Sequence, residues 1–284
     1  MIYMRLILLF LVLSAFPVVF GQSGRVVGTP LPAGGSGQIK QMFDEVNGYI
    51  KAKATEFDTK KRPFSERLLD QVKLEQKQLA ARYASTSDTR TDLLGEDLYY
   101  LGMLHWIAGN YDGTARSLSK YIDDKDAAAD HRQTARSIYV VAAAKQKRLD
   151  DAERTLSEYL KADPVKMTER SRMESELAKA YQQQNDLVRM SPHAEEAYKA
   201  AKAILLESPS RARGLDEILD AGMLVFESYR DRGDPKRADE TLDDMDTSLV
   251  EIKSKLQRHP AVLIEDFKRI TAIITRSDVL DLQR

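Results

Sequence analysis

The stretch 97–122, DLYYLGMLHWIAGNYDGTARSLSKYI, constrains the fold of this chain more than any other. Leu98, Leu101, Gly102 and His105 recur at steps that place them on one face of a helix. After a break at Gly109-Asn110, Tyr111, Ala115, Leu118 and Tyr121 do the same. Two short amphipathic helices joined by a tight turn cannot bury their apolar stripe between themselves. They need neighbours of the same kind stacked on them.

The chain supplies such neighbours. Upstream, Ile39, Phe43, Val46, Ile50, Ala54 and Phe57 define one amphipathic helix. Leu68, Leu69, Val72, Leu79, Ala80 and Tyr83 define a second, with Pro63 expected in its first turn. Downstream, the spacing predicts pairs at 96–108 with 111–123, 132–146 with 150–161, and 215–230 with 235–256. Between them a pair opens at 168, and its second helix is expected at 193–206, displaced by an insert over 187–192. A last helix over 261–274 is read as a cap. Aligned on their turns, the first helices cross their neighbours at Gly102, Val140, Ala178 and Phe226, with separations of 38, 38 and 48. Ala115, Leu118 and Tyr121 are echoed by Ala152, Leu156 and Tyr159. The expected fold class is all-α: a solenoid of about five antiparallel hairpins plus a C-terminal helix. The helical-repeat domain spans 39–284, with an N-terminal hairpin at 39–84 and repeat pairs over 96–256.

The first 38 residues are of another kind. Arg5 precedes an apolar run of about 15 residues that ends at Gly21-Gln22-Ser23, the pattern of a secretory signal over 1–21. An uncleaved anchor is the competing reading, but it calls for roughly 20 apolar residues. Residues 22–38, rich in Gly, Pro and Ser, read as a flexible linker. The expectation is an exported, periplasmic protein with no membrane attachment after cleavage. There is no Cys among the 284 residues, hence no disulfide, thiolate metal site or cysteine nucleophile. With 43 basic residues against 44 acidic ones, no charge excess points to nucleic acid or an anionic membrane surface.

With two helices per unit, a period near 38 and small or aromatic residues at the crossings, the chain resembles tetratricopeptide-repeat proteins. Leu98, Leu101-Gly102, Gly109, Tyr111, Leu118 and Tyr121 carry that resemblance best. The runs FDTKKRPFSERLLDQVKLEQKQLAARYA, GEDLYYLGMLHWIAGNYDGTARSL and SRMESELAKAYQ also look like the helical region that precedes a thioredoxin-like domain in exported bacterial redox proteins, notably of acidobacteria. In that family the redox chemistry belongs to a later domain with a Cys-x-x-Cys pair. The resemblance therefore implies a fragment or stand-alone relative, without redox activity of its own.

No constellation in the sequence specifies a reaction. His105, His131, His193 and His259 fall near different helices or turns, without metal-ligand spacing. His105 occupies a position suited to a packed core residue. The acidic runs at 123–126 and 243–246 lack the glycine turn and terminal glutamate of a calcium loop and read as solvated helix ends. There is no phosphate-cradling glycine loop and no nucleophile elbow. Neither a cofactor, a metal nor a catalytic residue is expected. What remains is the face of the first helices. In tetratricopeptide solenoids this face receives an extended peptide or partner helix, and here it comprises Tyr99, Met103, Trp106, Ile107, Ser137, Val141, Lys145, Ser175, Lys179 and Gln182. Trp106 is either an anchor in that groove or a core residue, and the sequence leaves both open. The expected function is a non-enzymatic module that binds protein or peptide; the alternative is the positioning region of a thiol-disulfide oxidoreductase. The oligomeric state is not set by the sequence.

Overall fold

A computed structural model describes residues 37–207 and 214–257. The expected signal over 1–21, almost all of the linker, the helix over 261–274 and His259 lie outside the described residues. Within them the protein is all-α, with ten helices: α1 (Gln38–Thr59), α2 (Glu66–Asp88), α3 (Glu96–Ala108), α4 (Tyr111–Ile122), α5 (Ala129–Lys145), α6 (Leu149–Leu160), α7 (Met167–Gln183), α8 (Leu187–Glu207), α9 (Gly214–Asp231) and α10 (Pro235–Gln257). They form five antiparallel hairpins, α1–α2 through α9–α10, and the first helices α1, α3, α5, α7 and α9 neighbour one another in turn.

One local device ends every first helix. Lys61, Gly109, Lys147, Asn185 and Gly233 have left-handed backbone, with φ between 52° and 77°. In each case the N–H of that residue bonds the carbonyl three residues back, and the next N–H bonds the carbonyl five back, as in Asn110 to His105 at 2.9 Å and Asp234 to Tyr229 at 2.9 Å. This double bond satisfies carbonyls that the helix end would leave without partners. The residue after the turn then opens the next helix: the side chains of Asn110, Asp186 and Asp234 accept the N–H groups of Gly113, Arg189 and Arg237. A helix stop and a helix start therefore fit into two residues. Caps of this type each stabilise a helix by about 1 kcal/mol.

The turns set the register. Gly109, Lys147, Asn185 and Gly233 each follow Gly102, Val140, Ala178 and Phe226 by seven residues. Twelve residues after those crossings stand Thr114, Ala152, Met190 and Ala238, all buried. Close packing explains the glycines within the helices. A Cβ on Gly102 would stand 2.3 Å from Leu118, and one on Gly113 would stand 2.5 Å from the His105 ring. Gly222 is similarly pressed by Met245.

The structure corrects two sequence expectations. α2 begins at Glu66, capped by Ser65, so Pro63 precedes the helix instead of sitting in its first turn. Residues 187–192 are no insert, because α8 starts at Leu187 and carries Pro192 inside it. The N–H that proline lacks would have bonded Val188, which lies on the exposed side where water can replace the donor. The fourth pair therefore keeps register. The longer separation of 48 arises downstream, because α8 runs for 21 residues whereas α6 has 12.

The core falls into two clusters. The smaller joins Ile39, Met42 and Val46 of α1 to Ala80, Tyr83 and Ala84 of α2 and Leu101 and Leu104 of α3. The larger runs from Tyr99 to Leu249 through α3–α10, with Leu118, Tyr121, Val140, Tyr159, Leu177 and Tyr181 at its centre.

Candidate binding face of the first helices

α5 lies between α3 and α7 and brings small or medium side chains to their shared face. Ser137 and Val141 are buried there. α3 and α7 contribute larger groups on either side, and one reaches the other: the Arg172 guanidinium of α7 lies over the Trp106 ring of α3, 4.6 Å from its centre. Tyr111, at the start of α4, packs beside Trp106 with centroids 5.8 Å apart. The Lys145 ammonium of α5 stands 5.8 Å from the Tyr111 ring. An aromatic pair is thus overlain by two cations, an arrangement in which each cation gains from the ring quadrupole.

The two cations differ in their carboxylate partners. Lys145 is paired with Glu176 at 2.7 Å, and Lys179 approaches the same carboxylate at 4.0 Å. Glu169 accepts the Tyr159 hydroxyl at 2.8 Å and Lys166 at 3.3 Å, and Glu227 accepts Gln182 at 2.7 Å. Arg172 has no carboxylate within ion-pair distance among the described residues. It is surrounded by enough protein that burial lowers its pKa from the ordinary arginine value, although Glu176, Tyr111, Glu169 and Glu217 act to raise it. Its residue surface is nevertheless exposed to solvent. A guanidinium that is partly desolvated, stacked and without an ion pair among the described residues has unused capacity for a bidentate bond.

The residues expected to form the groove divide in the structure. Met103 and Trp106 are half-buried and pack against the larger core cluster. Ser175, Lys179 and Gln182 are half-buried on α7, and Lys145 is exposed. Tyr99 is buried, stacked on His131 at 4.4 Å and packed against Tyr121. Ile107 turns to the smaller cluster formed with α1 and α2. Tyr99, Ser137 and Val141 therefore present no side chain to a partner, because the stacking of α5 and its neighbours covers them. Trp106 is both a packing residue and part of the accessible face. Arg172 and Tyr111 were missed in the sequence. Arg172 was within reach of the same logic, since it precedes Ser175 and Lys179 by three and seven residues and shares their face.

Titratable groups elsewhere are engaged in structure. His105 is buried, and the Asn110 amide donates to its Nδ1, which leaves Nε2 as the donor to Asp88 at 3.1 Å. His131 bonds Glu96 at 2.7 Å. His193 of α8 lies between Glu174 of α7 at 2.7 Å and Glu153 of α6 at 2.9 Å, with both ring nitrogens facing carboxylates. Burial alone would lower its pKa, but the bonds to Glu153 and Glu174 outweigh burial and push it up to about 9. The same contact with His193 is the main cause that holds Glu153 below the usual carboxylate range. Among the described residues, no group of three or more His, Asp or Glu side chains is arranged to hold a metal ion. No described helix is long and apolar enough to cross a membrane.

No protein-family model matches the chain, and no curated protein matches it. Among solved structures it is similar to the crystal structure of BtubC (BKLC) from P. vanneervenii, with 13% sequence identity, coverage of 86% of this chain and 91% of that one, and a TM-score of 0.39. A likeness this distant carries nothing about function.

Proposed function

We propose that this is a non-enzymatic helical-repeat module that binds a peptide or an extended protein segment on the α3–α5–α7 face and receives one of its carboxylates at Arg172. The observation that carries the reading is the Arg172–Trp106 stack: a guanidinium held on an aromatic platform, enclosed by protein, open to solvent and without an anionic partner among the described residues. Such a group recognises a planar carboxylate through two parallel hydrogen bonds, and Trp106 fixes its plane beforehand. Met103 and Trp106 supply apolar contact, while Lys179 and Gln182 supply polar contact along α7. An acidic or carboxyl-terminal residue of the partner is therefore the expected anchor. The tetratricopeptide resemblance supports the same face.

The test is a peptide selected on the purified protein, assayed against Arg172→Gln. Binding of an acidic peptide should weaken by 10-fold or more in that variant, in keeping with the roughly 1.5–3 kcal/mol of a charged hydrogen bond. Trp106→Phe should weaken it less. Equal affinity for wild type and Arg172→Gln would remove the carboxylate anchor from the account.

A further inference from the structure

A second recess lies away from that face, where the end of α2, the α2–α3 connection, α3 and α4 meet. Its volume is about 480 Å³, within the range of small-molecule sites. Leu93, Leu98 and Leu101 form an apolar floor, and Leu93 and Leu101 belong to the buried core, so this floor is fixed by packing. α4 contributes Arg116, Ser117 and Lys120 to the wall, residues that helical spacing puts on one side.

Two polar groups of this wall, Ser117 and Lys120, stand apart from the rest in having no hydrogen bond or ion pair among the described residues. Ser117 is only 4% exposed, lines the recess and makes no hydrogen bond among the described residues. Lys120 has no ion pair there either. Arg116 approaches Asp88 at 3.9 Å and Asp112 at 3.7 Å, both longer than a hydrogen bond. The only carboxylate in the lining, Asp88, is engaged by His105 at 3.1 Å. Arg90 is also in the lining but is held by two bonds to Asp92. Asp92 thus offsets Arg90, and Asp88 and Asp112 offset Arg116, which leaves Lys120 as the lining cation without a carboxylate among the described residues, on the same side of α4 as the Ser117 hydroxyl.

We infer that this recess binds a small organic anion: a carboxylate carried on a short aliphatic chain, with the chain on the leucine floor and the carboxylate at Ser117, Lys120 and Arg116. A bare oxyanion would leave the floor wet, and an uncharged chain would leave Lys120 and the hydroxyl without an acceptor. The class is therefore set by the combination.

Hexanoate is the probe, added to the full-length chain and followed by saturation-transfer NMR, with hexan-1-ol and inorganic phosphate as competitors. Saturable hexanoate binding is expected, with Kd raised at least 10-fold by Arg116→Gln combined with Lys120→Gln and a few-fold by Ser117→Ala. Both cations are exposed, so their replacement leaves packing intact; should the double variant lose helicity by circular dichroism, Lys120→Gln alone serves the same comparison. Hexanoate affinity unchanged in these variants would overturn the site. Displacement by hexan-1-ol as strong as that by hexanoate would overturn the role of the charge, and equal displacement by phosphate would overturn the role of the chain.

Discussion

The hairpins α3–α4 and α7–α8 share one turn and one register, but their helices are brought together by opposite means. In α3–α4 the fit is one of shape: Gly102 admits Leu118, and Gly113 admits the His105 ring. In α7–α8 the matching positions hold Ala178 and Ala194, both buried, and one turn earlier on α7 the seam holds charge. Glu174 is 3% exposed and is compensated by His193, which in turn reaches Glu153 on α6, while Tyr181 stacks on the imidazole at 5.6 Å and donates to Glu153. Arg170 pairs with Glu196 and lies 3.7 Å from Glu174. The comparison separates what a repeat must keep from what it is free to vary. The left-handed turn fixes where the helices run, whereas the filling can be leucine on glycine or alanine on alanine, with an ion triad beside the alanine pair.

The largest effect is expected from breaking the charged side of this comparison. Glu174→Ala leaves His193 with only one anion in a buried site and should destabilise the protein by about 3–5 kcal/mol, measured by urea unfolding. A loss below 1 kcal/mol would mean that the triad contributes no stability.

A pH series probes the same cluster more gently. The folded pKa of His193, at about 9, exceeds the unfolded value of about 6.5. Its contribution is therefore complete below about pH 6.5 and fades as pH rises through about 9. The difference amounts to about 3 kcal/mol. Unfolding midpoints should fall between pH 6.5 and 9.5 in the wild type, and His193→Gln should flatten that fall. Tyr181 stacks on His193 and Arg189 lies over Tyr181; burial pushes the tyrosine up to about 12, above that window.

The smallest effect is expected on the side built by shape. Gly102→Ala forces a methyl against Leu118, which has no exposed side to move into. Overpacking of about 1–3 kcal/mol is offset by about 1 kcal/mol of helix propensity, so a net loss of up to about 2 kcal/mol is expected in thermal or urea unfolding. A stabilising outcome would show that Leu118 can shift and that the glycine is dispensable.

Legibility in the sequence followed the same division. The 97–122 hairpin could be read because its turn has a glycine and a capping asparagine, and because its apolar residues meet at fixed spacing. The next turn was placed by spacing alone, since Lys147 adopts the left-handed conformation without being glycine. α8 was misplaced because Pro192 suggests a break, while the signals that start the helix, Asp186 as cap and Met190 as the buried register residue, carry no such conspicuous mark. The binding face was only partly readable. Periodicity assigns a residue to a side of its own helix but cannot say how far the next helix overlaps that side, so Ser137 and Val141 are covered while Arg172 is not. The ion triad joins three helices through Glu153, Glu174 and His193, and no local pattern announces a contact of that span.

The account depends most on Arg172 and Trp106 forming the place where a partner's carboxylate docks. Trp106 is the only tryptophan in the chain, so its emission reports on that place alone. Titration with an acidic peptide selected for binding should change Trp106 fluorescence saturably, and Arg172→Gln should move the midpoint of that change to at least 10-fold higher peptide concentration. If the peptide binds and the emission of Trp106 stays constant, the α3–α5–α7 face is not the binding surface.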